Sequence, residues 1–181
     1  MDLFSRHGIA DVTVDQIAEA ADIGKGTIYN YFQSKEDIVV AFMVNLEREV
    51  QKALARIITS QRPADATLSA FIVRQFRMKA RYHSFVRVFL TQMFLHTEQF
   101  FPYMVEMQKA IDPPLEKLFG RLQQRGAIRR DVQLPDLIMI FKTIHLGLTA
   151  LWAVEGPPFR ATETIVRQEM TLLCKGLEGK P

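Results

Sequence analysis

Two short helical patterns joined by a tight glycine-bearing turn occupy residues 13–37, TVDQIAEAADIGKGTIYNYFQSKED, and that is how a helix-turn-helix reads in sequence. Thr13 followed by Gln16 forms a capping box: the threonine oxygen takes an orphan amide of the first turn while Gln16 reaches back to the cap, so a helix is predicted from about Val14. Val14, Ile17, Ala18 and Ala21 form one apolar stripe, with Asp15, Glu19 and Asp22 facing away. Ile23 is expected to plug the turn and Gly24 to take the positive φ of a sharp reversal. The second helix should run from about Lys25 to Phe32, with Ile28 and Phe32 inward.

The side chains left outside suit a major groove. Lysine can donate to guanine acceptors, asparagine can read adenine bidentately, and hydroxyls can donate to phosphate. Lys25, Gly26 and Asn30 are therefore expected to face bases, Gly26 allowing close approach, while Thr13, Thr27, Tyr29, Tyr31 and Lys35 meet phosphate. Ser34 can cap the next helix, which places Lys35 in its first turn.

The run VTVDQIAEAADIGKGTIYNYFQSKEDIVVAF, preceded by LFSRHG, resembles the DNA-binding segment of the tetracycline-repressor (TetR) family of bacterial regulators. Gly8, Thr13, Ile17, Ala18, Gly24, Thr27, Tyr29, Phe32, Lys35 and Ala41 fall in the family's pattern, over roughly the first quarter of the chain; beyond it only the all-helical layout matches. The resemblance implies an inducer pocket in the body and a dimer built from the last two long helices. It also implies a basic arm and a full first helix, whereas this chain opens about two turns before Gly8. The front of that helix is expected to be missing, through a misassigned start, a trimmed chain or a partial loss of grip on DNA.

Charge cuts the same way. The net charge is +3, but residues 1–35 hold Arg6, Lys25 and Lys35 against Asp2, Asp11, Asp15, Glu19 and Asp22, a net −2. Sequence-independent DNA affinity comes largely from neutralised phosphates, so an acidic-leaning head is a weak general DNA binder.

From Ser34 a long helix is predicted to reach Arg62-Pro63, followed by helices at Asp65 to Arg81, Ser84 to Thr97, Pro102 to Ile111, Pro114 to Arg125, Pro135 to Val154 and Thr162 to Leu177. Breaks fall near Tyr82-His83, Asp112-Pro113-Pro114, Gly126 and Gly156-Pro157-Pro158. Strand alternation is lacking, so the fold class is all-α: an N-terminal helix-turn-helix domain, residues 1–45, and a larger helical ligand-binding and dimerisation domain, residues 46–181.

Within the body, Phe71, Phe76, Phe85, Phe89, Phe94, Phe100, Phe101 and Phe119, interspersed with methionines, read as core, part of which lines a cavity. Phe89, Met93, Phe141 and His145 are the candidate lining for a small, mostly apolar effector. No acidic residue occurs from Ala66 to Thr97, and Arg74, Arg77 and Arg81 share a helical face. The bland reading is a solvated face; the sharper one is an acyl-coenzyme A thioester with its tail among the phenylalanines and its phosphates on these arginines. The segment 135–154 is apolar over more than one face and needs a second partner, expected to be its own copy. Ile144, Leu148, Leu151 and Trp152, with Ile165, Met170, Leu172 and Leu173, are the expected dimer contact, so the operator should be an inverted repeat.

Several classes are disfavoured. One cysteine, Cys174, excludes an internal disulfide framework and fits a reducing cytoplasm. The most hydrophobic stretch, Leu134 to Val154, is interrupted by Asp136, Lys142 and His145 short of the ~18 continuous apolar residues of a spanning helix. Histidines 7, 83, 96 and 145 lack metal-ligand spacing, and no phosphate loop, dinucleotide fingerprint or nucleophile elbow occurs. Neither metal, cofactor nor catalysis is expected. The reading is a cytoplasmic, homodimeric, ligand-responsive regulator, most simply a repressor; the competing class is a dimeric small-molecule-binding or scaffold protein that has lost DNA binding.

Overall fold

In the computed structural model, which describes residues 1–59, 61–95 and 97–176, the chain passes through α1 (Asp2–His7), α2 (Val14–Ala20), α3 (Lys25–Tyr29), α4 (Lys35–Ile58), α5 (Ala64–Lys79), α6 (His83–Leu95), α7 (Thr97–Gln124), α8 (Leu134–Glu155) and α9 (Arg160–Gly176). A single 3₁₀ turn, Ala80–Tyr82, joins α5 to α6 at the expected Tyr82-His83 break. No strand occurs among the described residues, and the fold is all-α. His96 and Leu177 lie outside the described residues.

Local hydrogen bonding sets the helix starts. The Gln16 amide donates to Thr13 Oγ1 at 3.2 Å and the Thr13 amide to Gln16 Oε1 at 2.8 Å, the reciprocal capping box that starts α2. Ser34 and Asp37 repeat the device at the start of α4. The reversal between α2 and α3 departs from expectation. Gly24 has φ −58°, an extended N-cap, and the positive φ belongs to Asp22 at 54°. A short polar side chain tolerates the left-handed region, so the chain turns two residues early. Ile23, now beyond the reversal, is 45% exposed rather than a plug, and α3 ends at Tyr29 with further turn bonds through Phe32.

The second departure is α7. The expected break at Asp112-Pro113-Pro114 is absent: one helix of 28 residues carries Pro102, Pro113 and Pro114 inside it. Phe100 and Tyr103 before the proline pair, and Leu115, Leu118, Phe119 and Leu122 after it, are all buried. At about 1.5–3 kcal/mol per buried side chain, that packing outweighs the about 3 kcal/mol that each mid-helix proline costs. Gly126, at φ 70°, then ends the helix as expected.

The body is a bundle of α4 to α9 around Phe76, Phe85, Phe119, Phe141 and Trp152, all fully buried. The head is packed onto it: Phe4 of α1 is buried with its ring 6.1 Å from that of Phe85 on α6. The expected domain boundary at residues 45 and 46 falls inside α4, which runs unbroken from head to body. α8 is long and apolar enough by composition to cross a membrane, with a mean hydropathy of 1.7 in its 18-residue window, because dense leucine and isoleucine offset its polar positions. Its Leu137, Ile138, Phe141, Leu148 and Trp152 instead fill the protomer core. Phe94 and Phe101, expected in the core, are exposed near the junction of α6 and α7.

Candidate nucleic-acid interface and ligand cavity

On the reading head, burial of Ile28 turns the rest of α3 outward, and Lys25, Gly26, Thr27, Tyr29, Asn30 and Tyr31 are all exposed. A methyl group added at Gly26 would meet no protein atom within 4 Å, so the space in front of it is open. Four of the expected contacts are already engaged within the head. Lys25 Nζ lies 2.6 Å from Asp15 Oδ2, and this partner holds the Lys25 ammonium above its ordinary pKa; the Tyr29 hydroxyl donates to Asp15 Oδ1 at 3.4 Å. Lys35 Nζ donates to the Ala10 carbonyl, which ties the start of α4 to the turn before α2. Thr13 Oγ1 both accepts from the Gln16 amide and donates to Gln16 Oε1, so a phosphate contact there competes with the cap. Asp15, missed in the sequence as one more carboxylate facing away, is the residue that orders this surface.

The four expected ligand residues come together. Phe89 and Met93 on α6 and Phe141 and His145 on α8 line one cavity of about 190 Å³, closed further by α4, α5 and α7. Phe141 and His145 stack at 6.2 Å between ring centroids, and His145 Nε2 meets Gln75 Oε1, a contact that puts the proton on Nε2. Burial, with the charge of Lys79 adding, pushes His145 down to about 3, so it is neutral near pH 7. Two polar wall residues were not foreseen. Glu47 on α4 and Lys79 on α5 form a buried ion pair on the cavity wall. Their signal was present: Met43, Glu47 and Val50 share one helical face, so the carboxylate interrupts an apolar stripe.

The arginine face does not serve this cavity. Arg74 and Arg77 line a separate open groove between α5 and α9, and Arg77 makes two 2.9 Å hydrogen bonds to Glu163. Arg81 lies over the Tyr82 ring at 4.6 Å. Phe71, Gln75 and Lys79 turn one side of α5 to the cavity, which leaves the arginine side of the helix facing away from it. None of these three arginines lines the cavity that holds Phe89 and Phe141.

The dimer expectation also divides. Leu148, Trp152 and Met170 are buried in the protomer, Trp152 completely, so they cannot meet a second subunit. A helix apolar all round hides which face is inward. What remains outside is a seam of Ile140, Gly147, Leu151 and Val154, with the half-buried Ile144 between them, at alternating four- and three-residue steps, and with Leu151 48% and Val154 81% exposed. On α9, Leu172 is exposed while Ile165 and Leu173 are half-buried.

Residues 1–42 match the family model of bacterial regulatory proteins, tetR family. That N-terminal segment is a TetR-family segment. Two curated relatives align with nearly the whole chain. The HTH-type transcriptional repressor KstR2 of Rhodococcus jostii is 25% identical over 179 residues, 97% of this chain and 85% of that protein. The fatty acid metabolism regulator protein of Bacillus subtilis is 25% identical over 189 residues, 99% of this chain and 92% of that protein. The crystal structure of the transcriptional regulator FadR from Bacillus subtilis, in complex with stearoyl-CoA, shares the fold with a TM-score of 0.77 at 21% identity, covering 98% of this chain and 95% of that one. These relatives are regulators, and this chain shares their all-α fold and carries the tetR-family segment at residues 1–42.

Proposed function

We propose that the chain acts in the cytoplasm as a homodimeric repressor, released from an inverted-repeat operator by a mostly apolar effector of the acyl-coenzyme A class. The observation that carries this reading is the position of α4: one face of it walls the cavity through Met43, Glu47 and Val50, and its first turn abuts the reading head through Lys35. Residues 1–45 would read DNA and residues 46–181 would sense the effector and dimerise, with α4 shared.

The cavity of about 190 Å³ is smaller than the ~300–1,000 Å³ of typical ligand sites, so a long-chain effector must widen it and displace its walls. α4 is one of those walls. Effector binding then favours an arrangement in which α4 is tilted and the two reading helices no longer match successive major grooves, ~34–36 Å apart. A coupling of ~1–3 kcal/mol would change DNA affinity several-fold to a hundredfold. The fatty-acid assignments of the Bacillus subtilis relatives support the effector class. The exposed α8 seam supports the dimer.

The test is fluorescence anisotropy on DNA from the chain's own promoter across a salt series, followed by titration with lauroyl-coenzyme A. The expected result is saturable, sequence-selective binding by two subunits per site, reversed by the thioester. The competing reading, a dimeric ligand-binding protein without DNA binding, draws on the net −2 of residues 1–35 and on the internal pairing of Lys25 and Lys35. Equal binding to promoter, genomic fragments and random DNA would put that reading first.

A further inference from the structure

The Glu47–Lys79 pair is only half satisfied. Their side chains are 7% and 5% exposed, and one carboxylate oxygen of Glu47 takes an N–H of Lys79. The other, Oε2, is buried without a hydrogen-bond partner. Lys79 donates to Glu47 alone among the described residues, which leaves two of its three N–H groups over. A buried charge with unmade hydrogen bonds is costly, and a pair serving structure alone would have its remaining groups closed off by protein. Here both residues line the cavity instead.

The surrounding groups fix what can fill the gap. His145 Nε2 is taken up by Gln75 Oε1, and burial keeps His145 uncharged. Lys142, at the same wall, is held by Asp112 at 2.8 Å. No spare cation therefore faces the cavity to offset a second carboxylate. An anionic head that drew Lys79 to itself would leave Glu47 buried and unpaired. A plain ester or thioester carbonyl could accept from Lys79 but would leave Glu47 Oε2 bare.

We infer that the cavity recognises an uncharged amide within an apolar chain, its carbonyl accepting from Lys79 and its N–H donating to Glu47 Oε2. This rests on the effector reading above and narrows it: the pantetheine arm of an acyl-coenzyme A thioester carries two such amides, and a simple fatty amide carries one. Because Glu47 belongs to α4, the recognising contact is made on the helix that reaches the reading head.

Calorimetry on the full chain with dodecanamide, methyl dodecanoate and dodecanoate, all below their aggregation concentrations, tests it. Dodecanamide should bind about tenfold more tightly than the methyl ester, the worth of one hydrogen bond to a charged acceptor, and dodecanoate weakest of the three. Glu47→Gln should narrow the amide preference and strengthen dodecanoate binding, a reversal that a structural role would not produce. If that variant does not fold, the wild-type ranking decides alone. Equal affinities, or dodecanoate tightest, overturn the amide inference and leave the apolar cavity standing; no binding by any of the three overturns the cavity reading itself. Lauroyl-coenzyme A distinguishes the sources: affinity lost in Glu47→Gln places a pantetheine amide at the pair, and affinity retained there assigns the pair to a terminal amide.

Discussion

Asp15 on α2 holds the ammonium of Lys25 on α3 at 2.6 Å, so the cation best placed to meet a base is already neutralised by its own reading head. DNA binding must therefore exchange one partner of Lys25 for another. Asp15→Asn should raise affinity for promoter and random DNA alike by several-fold, and steepen the logarithmic salt dependence by about one unit, as expected for one added phosphate-neutralising charge. Lys35→Ala should do the reverse on every sequence, and Lys25→Ala should alter which sequence is preferred. Anisotropy across a salt series reads all three; an unchanged slope in Asp15→Asn would show that freeing Lys25 adds no phosphate contact.

The adjacent residues Leu151 and Trp152 should part company. Leu151→Asp, on the exposed seam of α8, should yield folded monomers by sedimentation equilibrium and abolish binding to an inverted repeat. Trp152→Ala opens a void between Phe76 and Phe159, whose rings stack on it at 5.4 and 5.0 Å, and should cost about 3–5 kcal/mol in urea unfolding. A Leu151→Asp protein that stays dimeric would place the interface elsewhere.

Lys79→Met strands Glu47 in the core and should destabilise the chain by about 3–5 kcal/mol. Lys79→Met with Glu47→Leu should recover most of that loss, because no buried charge is left behind. Denaturation midpoints of the two variants, compared at one pH, check the relation.

Acid should weaken the fold before its carboxylates titrate. His145 is held at about 3 in the folded chain, against about 6.5 unfolded, so its contribution is intact above about 6.5 and drains away as pH falls toward about 3. Between pH 7.5 and 5 the loss is about 2 kcal/mol. Below about 4.5, Glu163, lowered by its hydrogen bonds to Arg77, adds to it. His145→Gln should flatten the stability profile between pH 7 and 5, measured by urea unfolding at each pH; an unchanged profile would mean His145 takes up its proton in the folded state.

What could be read in advance was what depends on near neighbours in sequence. Thr13 with Gln16, and Ser34 with Asp37, satisfy each other within four residues, so their helix starts were legible. Gly24 misled because the left-handed turn falls on Asp22, whose short polar side chain tolerates it. Pro113 and Pro114 misled because the opposing force, burial of Phe100 and Tyr103 with Leu115 and Phe119, is tertiary. Phe89, Met93, Phe141 and His145 line one cavity, yet Lys79 beside them went unnoticed as a wall residue, since its partner lies 32 residues away. Trp152 and Leu151 were assigned together because an all-apolar helix carries no mark of which side faces in.

The unbroken course of α4 has a geometrical consequence. Glu47 lies 13 residues from the cap at Ser34, a lever arm of about 20 Å at 1.5 Å per residue. A pivot of about 6° at the cavity carries the far end through about 2 Å, and in the proposed two-fold dimer the change in separation between the reading helices would be doubled. A stiff rod thus lends mechanical advantage to a small expansion of the cavity, and a helix-breaking residue between Glu47 and Ser34 would leave both ends intact while uncoupling sensing from release.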